Sequence, residues 1–300
     1  MFFHPLYSQL CSDENLQRAW RAVRRQSEAP GLDGMTAAMF EARSFILLKK
    51  LQDELRRFKY RPQPVKRIFM KREVGPPRPL GIPIFLDRIV MRALVQVLIP
   101  VFEPYFDDCS HAYRTGRSVQ SALAQARDYA RDGRFWVIKI DLSDCFGNVP
   151  HRPLLRCVYR RVKDSAVRKL LKKFLAVEVI TQSRSGLRQV SKPKQGVLQG
   201  SPLSPLLANI YLDIFDQEMR RRDLRFVRYG DDIAIFSATR PEAEEALEVA
   251  ARVLEKMHLP INREKTRLHH VVQGFSYLGE WLMWKKWRAR EKTSRNRFGR

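Results

Sequence analysis

Cysteine is sparse in this chain, and what there is does not pair. Cys11, Cys109, Cys145 and Cys157 are scattered with no C-x-x-C spacing, which argues against a disulfide framework and against a zinc site. Long apolar runs are missing too. No signal peptide or membrane-spanning segment is visible, so the expected compartment is a reducing cytoplasm, with no membrane partner. Internal repeats and low-complexity linkers are likewise absent. Acids are scarce beside bases: 32 Asp and Glu stand against 56 Lys and Arg, for a net charge of +24 and a pI near 10.4. A field of that sign favours a polyanion such as nucleic acid. An anionic membrane is the rival and ranks lower, because no long basic amphipathic helix is evident and the charge is spread along the chain. The adjacent His269 and His270 have no cysteine or carboxylate at ligand spacing, so a structural or surface role is expected for them.

What is present suffices for a sizeable core. A chain of 300 residues with 44% hydrophobic content can form one large domain or two interleaved subdomains. The most informative stretch is Phe226-Val227-Arg228-Tyr229-Gly230-Asp231-Asp232-Ile233-Ala234-Ile235-Phe236. Two apolar strands flank a short turn carrying two adjacent carboxylates, and Gly230 permits the tight turn. Neighbouring acids repel each other and need a cation to be held close. A third carboxylate, Asp141, ends the apolar run Phe135–Ile140. Alternation there puts Trp136, Ile138 and Ile140 on one face, anchored in the core, and Lys139 and Asp141 on the other, facing a cleft. Carboxylates from two strand ends can clamp two Mg²⁺ ions roughly 3.5–4 Å apart, the arrangement used in nucleotidyl transfer.

Helical spacing marks Leu16 to Val23 after Ser12-Asp13-Glu14, Leu48 to Phe58, Ile89 to Val101, Val119 to Ala130, and Ser201 to Met219 with Pro202 and Pro205 near its start. Pro241 opens a further helix, with Leu247, Ala251, Leu254 and Met257 on its core face. The prolines of residues 62–85 indicate extended segments around a loop at Gly75-Pro76-Pro77. Irregular alternation of strands and helices predicts an α+β fold with an antiparallel sheet. Residues 284–300 carry eight Lys or Arg and one acid, interleaved with Trp284 and Trp287. That composition suits contact with a nucleic-acid backbone, or a solvated tail.

The order of these segments resembles a bacterial reverse transcriptase of the group II intron-like kind, a type shared by CRISPR-associated and defence-associated enzymes. Gly31-Leu32-Asp33-Gly34-Met35-Thr36 resembles the first family block. Arg78-Pro79-Leu80-Gly81-Ile82-Pro83 and His111-Ala112-Tyr113-Arg114-Thr115-Gly116-Arg117-Ser118 resemble the fingers block. Ile140 to Phe146 is similar to polymerase motif A, Gln195 to Pro205 to motif B, and Tyr229-Gly230-Asp231-Asp232 to motif C. Leu259 to Thr266 resembles motif D, and Phe275-Ser276-Tyr277-Leu278-Gly279 the primer-grip block.

The resemblance implies a right-hand polymerase. Fingers would span 1–115 and 151–198, and a palm with a ferredoxin-like antiparallel sheet 116–150 and 199–283, followed by the basic tail at 284–300. It implies RNA-templated addition of deoxynucleotides to the 3′ end of a nucleic-acid primer, with Mg²⁺ or Mn²⁺ as cofactor. Asp141, Asp231, Asp232 and the Leu142 carbonyl would be the metal ligands. Lys71 and Arg78 would hold the incoming triphosphate, and Gln199 and Gly200 would lie against the nucleotide. Lys265 would be the general acid toward pyrophosphate. Phe146, five residues beyond Asp141, has the place of the aromatic gate that rejects a 2′-hydroxyl. RNA polymerases with the same turn typically carry an acid in motif A for the ribose, and Asp144 has the wrong spacing for it.

The pattern departs from the family in two ways. Bacterial relatives often carry alanine where this chain has Gly230. The sequence also ends soon after the primer-grip block, which leaves three expectations open: a fragment of a larger fusion, a non-coding RNA or protein partner in place of the helical thumb, or a compact defence-type enzyme. Two other classes stay open: RNA-synthesising or untemplated nucleotide addition, and a non-catalytic RNA-binding protein on a polymerase scaffold. Host defence, CRISPR-linked recording of RNA and retroelement biology all use these motifs.

Overall fold

The computed structural model describes residues 5–25, 29–71, 76–182 and 187–283. The tail singled out at 284–300 therefore lies outside the described residues. In chain order the elements are α1 (Pro5–Leu10), α2 (Asp13–Arg24), α3 (Ala37–Glu41), α4 (Ser44–Arg56), β1 (Val65–Met70), β2 (Arg78–Ile82), α5 (Phe85–Phe102), α6 (Val119–Arg131), β3 (Trp136–Ile140) and α7 (Cys145–Asn148). There follow α8 (His151–Arg161), α9 (Ser165–Leu175), β4 (Val179–Gln182), β5 (Arg188–Ser191), α10 (Ser204–Arg221), β6 (Arg225–Tyr229), β7 (Asp232–Ser237), α11 (Arg240–Lys256), β8 (Arg267–His270), β9 (Phe275–Tyr277) and β10 (Glu280–Leu282). The mixture is α+β, as the sequence predicts. Two units divide it: Met1–Tyr105 with Phe146–Tyr211, and Phe106–Cys145 with Leu212–Arg300.

The first unit pairs helices with a four-stranded sheet of order β2-β1-β4-β5. The proline-rich segment becomes the antiparallel β1–β2 pair, with Phe69 opposite Pro79. Pro79 is tolerated because β2 is the edge strand, where a missing amide donor breaks no second ladder. α5 runs longer than its apolar core suggests, and burial on nearly every side explains its unbroken hydrophobicity. Its first turn holds Asp87, which accepts hydrogen bonds from the Tyr60 hydroxyl and, at 2.8 Å, from the Gln63 N–H. These bonds fasten the approach to β1 onto α5.

The second unit is built on a sheet of order β6-β7-β3-β8, antiparallel throughout. The sequence β3-α10-β6-β7-α11-β8 with that strand order is the split βαβ arrangement of ferredoxin-like folds. One face packs on α11 and α10, where Phe215 meets Phe226 edge-on at 5.9 Å. The other face carries a second core made by α6, Val137, Val227, Ala234 and Phe236 with Phe275, Tyr277 and Leu282 of the β9–β10 pair.

Three expectations need correction. The face of β3 that carries Lys139 and Asp141 is not open along its length, because α6 and β9–β10 bury Val137 on it; exposure returns only toward Asp141. α10 begins at Ser204, not Ser201. Pro202 disfavours helical geometry at the residue before it, whereas Pro205 sits in the first turn, where its missing donor costs nothing. Leu254 and Met257 are buried as expected, but the rest of the α11 core face is Ala243, Ala246 and Ala250, with Leu247 and Ala251 at its margin, because alanines allow the helix close approach to the sheet.

Burial pushes the Asp87 carboxyl up to about 6, against which the Tyr60 and Gln63 hydrogen bonds act. A raised carboxyl binds its proton more tightly in the folded chain, so its contribution is complete below its ordinary value and is lost as pH rises through about 6. Urea unfolding should show stability falling between about pH 4 and pH 6, and Asp87→Asn should flatten that fall relative to wild type.

Candidate active site

Tyr229 and Asp232 are the last paired residues of β6 and β7, so Gly230 and Asp231 form a two-residue turn. Gly230 takes φ +67°, as the first central position of the tight hairpin turn with glycine at that place. A Cβ there would meet nothing closer than the Tyr113 ring at 3.6 Å, so the requirement is conformational rather than steric. β3 lies beside β7 with Lys139 opposite Ala234 and Ile140 opposite Ile233. One step further along this register sets Asp141 opposite Asp232. The sheet thus brings the three carboxylates to one end, with Asp141 and Asp232 on the same face.

Asp141 is held through its backbone. Its N–H donates to Thr266 Oγ1 at 3.3 Å and its carbonyl accepts from the Asn262 N–H at 2.8 Å. The next residue but one, Ser143, donates to the Pro260 carbonyl at 2.8 Å, and Leu142, which is buried, bridges to Ile261. Asn262 organises the clamp: its side-chain oxygen accepts from the N–H groups of Glu264 at 3.1 Å and Lys265 at 3.3 Å. This is an Asx-type turn, in which a short amide side chain replaces a backbone partner. Lys265 therefore sits in an ordered turn with its side chain exposed.

The three carboxylates are half-exposed, and among the described residues no protein donor hydrogen-bonds to any of them. Asp232 is raised above the usual carboxylate range by burial, then by Asp231 and by Asp141, with Lys139 opposing. Negative charge is concentrated here, only partly offset by Lys139. Among the described residues no three His, Cys, Asp or Glu side chains form a ready-made metal cage. Carboxylate and carbonyl oxygens are nonetheless hard donors, and Mg²⁺ is usually bound by one or two carboxylates with substrate phosphates rather than by a full protein cage. The donor set fits such a cation.

Behind the turn lies a residue that the sequence reading missed. Arg228 is fully buried. Its Nε donates to Asp216 Oδ1 at 2.7 Å, and its Nη2 pairs with Asp216 and donates to Ser110 Oγ at 2.7 Å. Its Nη1 donates to the Gly230 carbonyl at 3.0 Å. Burial opposes the charge, but attraction to Asp216 holds Arg228 above the usual guanidinium value. The backbone of Arg228 is also paired, donating to Cys109 O at 2.7 Å and accepting from the His111 N–H at 2.9 Å. The His111–Ser118 block thus lies in the same unit as the carboxylates, braced by Arg114, whose Nη1 donates to the carbonyls of Asp107 at 2.5 Å and Ser110 at 2.8 Å. Arg228 among the apolar residues of its strand, and Asp216 at helical spacing from Leu212 and Met219, were the available signals.

The remaining candidates lie in the first unit. Arg78 Nε donates to Gln199 Oε1 at 2.5 Å, and Gly81 N–H donates to the Gln199 carbonyl at 2.7 Å. Gly200 follows at φ +92°, and a Cβ there would come within 2.9 Å of the Gly81 carbonyl, so only glycine fits against β2. Phe146 is buried, with its carbonyl accepting from the Val197 N–H at 2.7 Å. Lys71 follows β1 and is exposed. His269 stacks on Phe275 at 5.4 Å and His270 meets Trp136 edge-on at 4.9 Å, which accounts for that pair structurally.

The family model described as reverse transcriptase (RNA-dependent DNA polymerase) matches residues 69–282. Protein YkfC of Escherichia coli K12 is 34% identical over 304 residues, covering 88% of this chain and 78% of its own length. The group II intron-encoded protein LtrA of Lactococcus lactis is 35% identical over 183 residues, 60% of this chain, which spans only 29% of that longer protein. Telomerase from Candida tropicalis, in complex with a fragment of telomeric RNA, shares the fold with a TM-score of 0.59 at 14% identity, over 82% of this chain and 47% of that one.

Removing one partner of a fully buried ion pair leaves the other charge stranded. Arg228→Met should therefore cost about 3–5 kcal/mol in denaturant unfolding. Adding Asp216→Leu to it should recover part of the loss, and a double-mutant cycle reads the coupling.

Proposed function

Since this chain belongs to the reverse transcriptase (RNA-dependent DNA polymerase) family, we propose that it extends the 3′ end of a nucleic-acid primer with deoxynucleotides on an RNA template, by two-metal nucleotidyl transfer. The observation that carries this reading is the gathering of Asp141, Asp231 and Asp232 at one sheet end, with no protein donor among the described residues spent on them. Binding alone would not require such mutual repulsion. Asp141 and Asp231, with Asp232 beside them and the Leu142 carbonyl, would hold divalent cations, Mg²⁺ or Mn²⁺. Such cations, when bound, lower the pKa of a primer 3′-hydroxyl and neutralise charge on leaving pyrophosphate.

The chain's own groups divide the remaining work. Thr266 and Asn262 fix the Asp141 backbone, and Arg228 fixes the Gly230 carbonyl, so the carboxylates are oriented before substrate arrives. Arg78, held by Gln199, and the exposed Lys71 offer cations to the triphosphate, while Gly200 lets the Gln199 segment pack directly against β2. Lys265, which is exposed, is the candidate general acid toward pyrophosphate. The Phe146 ring is the group to exclude a 2′-hydroxyl, which favours deoxynucleotides over the RNA-synthesising alternative. Among defence, CRISPR-linked and retroelement settings, similarity to an intron-encoded protein favours the last.

Single-turnover extension of a primer on an RNA template tests the assignment. Asp141→Asn and Asp231→Asn should each slow addition by at least about a hundredfold while melting like wild type. A residue whose variant stays within about tenfold of wild type does not belong to the site. Phe146→Ala should raise incorporation of ribonucleotides relative to deoxynucleotides. If the wild type already uses both sugars equally, the gate assignment fails.

A further inference from the structure

Positive charge is spread along the sequence, yet its balance with acids varies from element to element. Residues 151–176, which hold the packed pair α8 and α9, carry nine Lys or Arg and a single acid. By contrast α11 has five glutamates against three bases. The lone acid of the α8–α9 pair, Asp164, is buried and fully engaged. It caps α9 by accepting from the N–H groups of Ala166 at 3.0 Å and Val167 at 3.2 Å, and it accepts from the Tyr7 N–H at 2.9 Å. Arg168 is spent on the connection between the helices, donating to the carbonyls of Val162 at 2.6 Å and Tyr159 at 3.0 Å.

The outer stripes are a different matter. On α8, Arg152, Arg156 and Arg160 are exposed at four-residue spacing, so successive cations stand about 6 Å apart along the helix. That step is comparable with the separation of neighbouring phosphates on a nucleic-acid strand. On α9, Lys169 and Lys172 are exposed on the side opposite Leu170, Leu171 and Phe174. Among the described residues none of these five cations pairs with a carboxylate. Holding so many like charges on two short helices costs stability through self-repulsion, which an anionic partner relieves.

We propose that the α8–α9 face is a docking surface for the phosphate backbone of base-paired RNA. It rests on the polymerase reading only for the class of nucleic acid. No exposed large apolar side chain lies on α8 or α9, which disfavours an anionic membrane, since membrane-surface helices need an apolar face to insert. Single strands are normally held by exposed aromatic platforms as well as by cations, and this face has none. A duplex presents only its backbone to a surface of this kind and is bound by shape and charge.

The test uses the whole chain. One variant combines Arg156→Gln, Arg160→Gln, Lys169→Gln and Lys172→Gln. A control with the same loss of charge combines Arg21→Gln, Arg43→Gln, Lys50→Gln and Lys59→Gln, all exposed positions. Binding to a short RNA hairpin is followed between about 0.05 and 0.2 M salt. The α8–α9 variant should bind at least about tenfold more weakly and lose about 3–4 from the slope of log affinity against log salt, with a much smaller change in the control. Single-turnover addition at saturating primer–template should stay at the wild-type rate. Equal losses in both variants would mean that only net charge matters, and would overturn the proposal. So would a loss confined to an unpaired homopolymer, or a loss of binding to phosphatidylserine vesicles with hairpin binding intact. Failure of the polymerase reading would appear separately, as a wild type that adds no nucleotide yet still binds the hairpin through this face.

Discussion

One guanidinium that never meets water holds the candidate active site together. Arg228 ties the hairpin turn, the Asp216 helix and the Cys109–His111 segment to a single point. Burying two charges is costly, and a well-packed apolar pair of the same volume would often be as stable or more so. What an apolar pair could not do is donate a directed hydrogen bond to the Gly230 carbonyl. The ion pair therefore makes sense as a positioning device for the turn rather than as a stabiliser. Its geometry is fork-to-fork, which fixes the guanidinium plane and with it the direction of the remaining donor.

The same division runs through the rest of the site. The contacts that orient the acidic residues act on backbone: Arg228 on the Gly230 carbonyl, Asn262 on the Asp141 carbonyl, and Thr266 on the Asp141 N–H. Had these restraints used the carboxylates instead, they would have neutralised the charge on which the proposed chemistry depends. Sheet register supplies the rest, because a one-residue slip of β3 against β7 would turn Asp141 to the opposite face. Fixed backbone and unspent side chains are what electrostatic preorganisation demands.

Much of this was legible in the sequence, for local reasons. Alternating apolar residues around Tyr229-Gly230-Asp231-Asp232 specify a hairpin, and glycine at that place selects the turn; β6, β7 and β3 form as that pattern predicts. The α+β class and the antiparallel sheet follow from the same signals. Long-range contacts were not legible. Nothing in the spacing of Arg228 and Asp216, or of Asp141 and Thr266, says that they meet, since those meetings depend on how α10 and the segment after α11 fold back on the sheet. The core face of α11 is as expected at Leu254 and Met257 and differs at Leu247 and Ala251, for a related reason. Hydrophobicity favours Leu247, but the helix comes closest to the sheet along its alanines, where packing distance outweighs side-chain area.

Glycine 230 shows how tightly local and long-range demands are coupled. Space beside it is ordinary, so an alanine would meet no clash, and the cost lies in its left-handed φ, about 1–2 kcal/mol for a residue with a Cβ. Arg228 grips the carbonyl of this same residue. A substitution that relaxed the turn toward a right-handed φ would rotate that carbonyl and weaken its bond to the buried guanidinium. Asp231, the next residue, would then turn with the peptide plane. In this chain the glycine allows the two-residue hairpin turn without strain against the buried arginine.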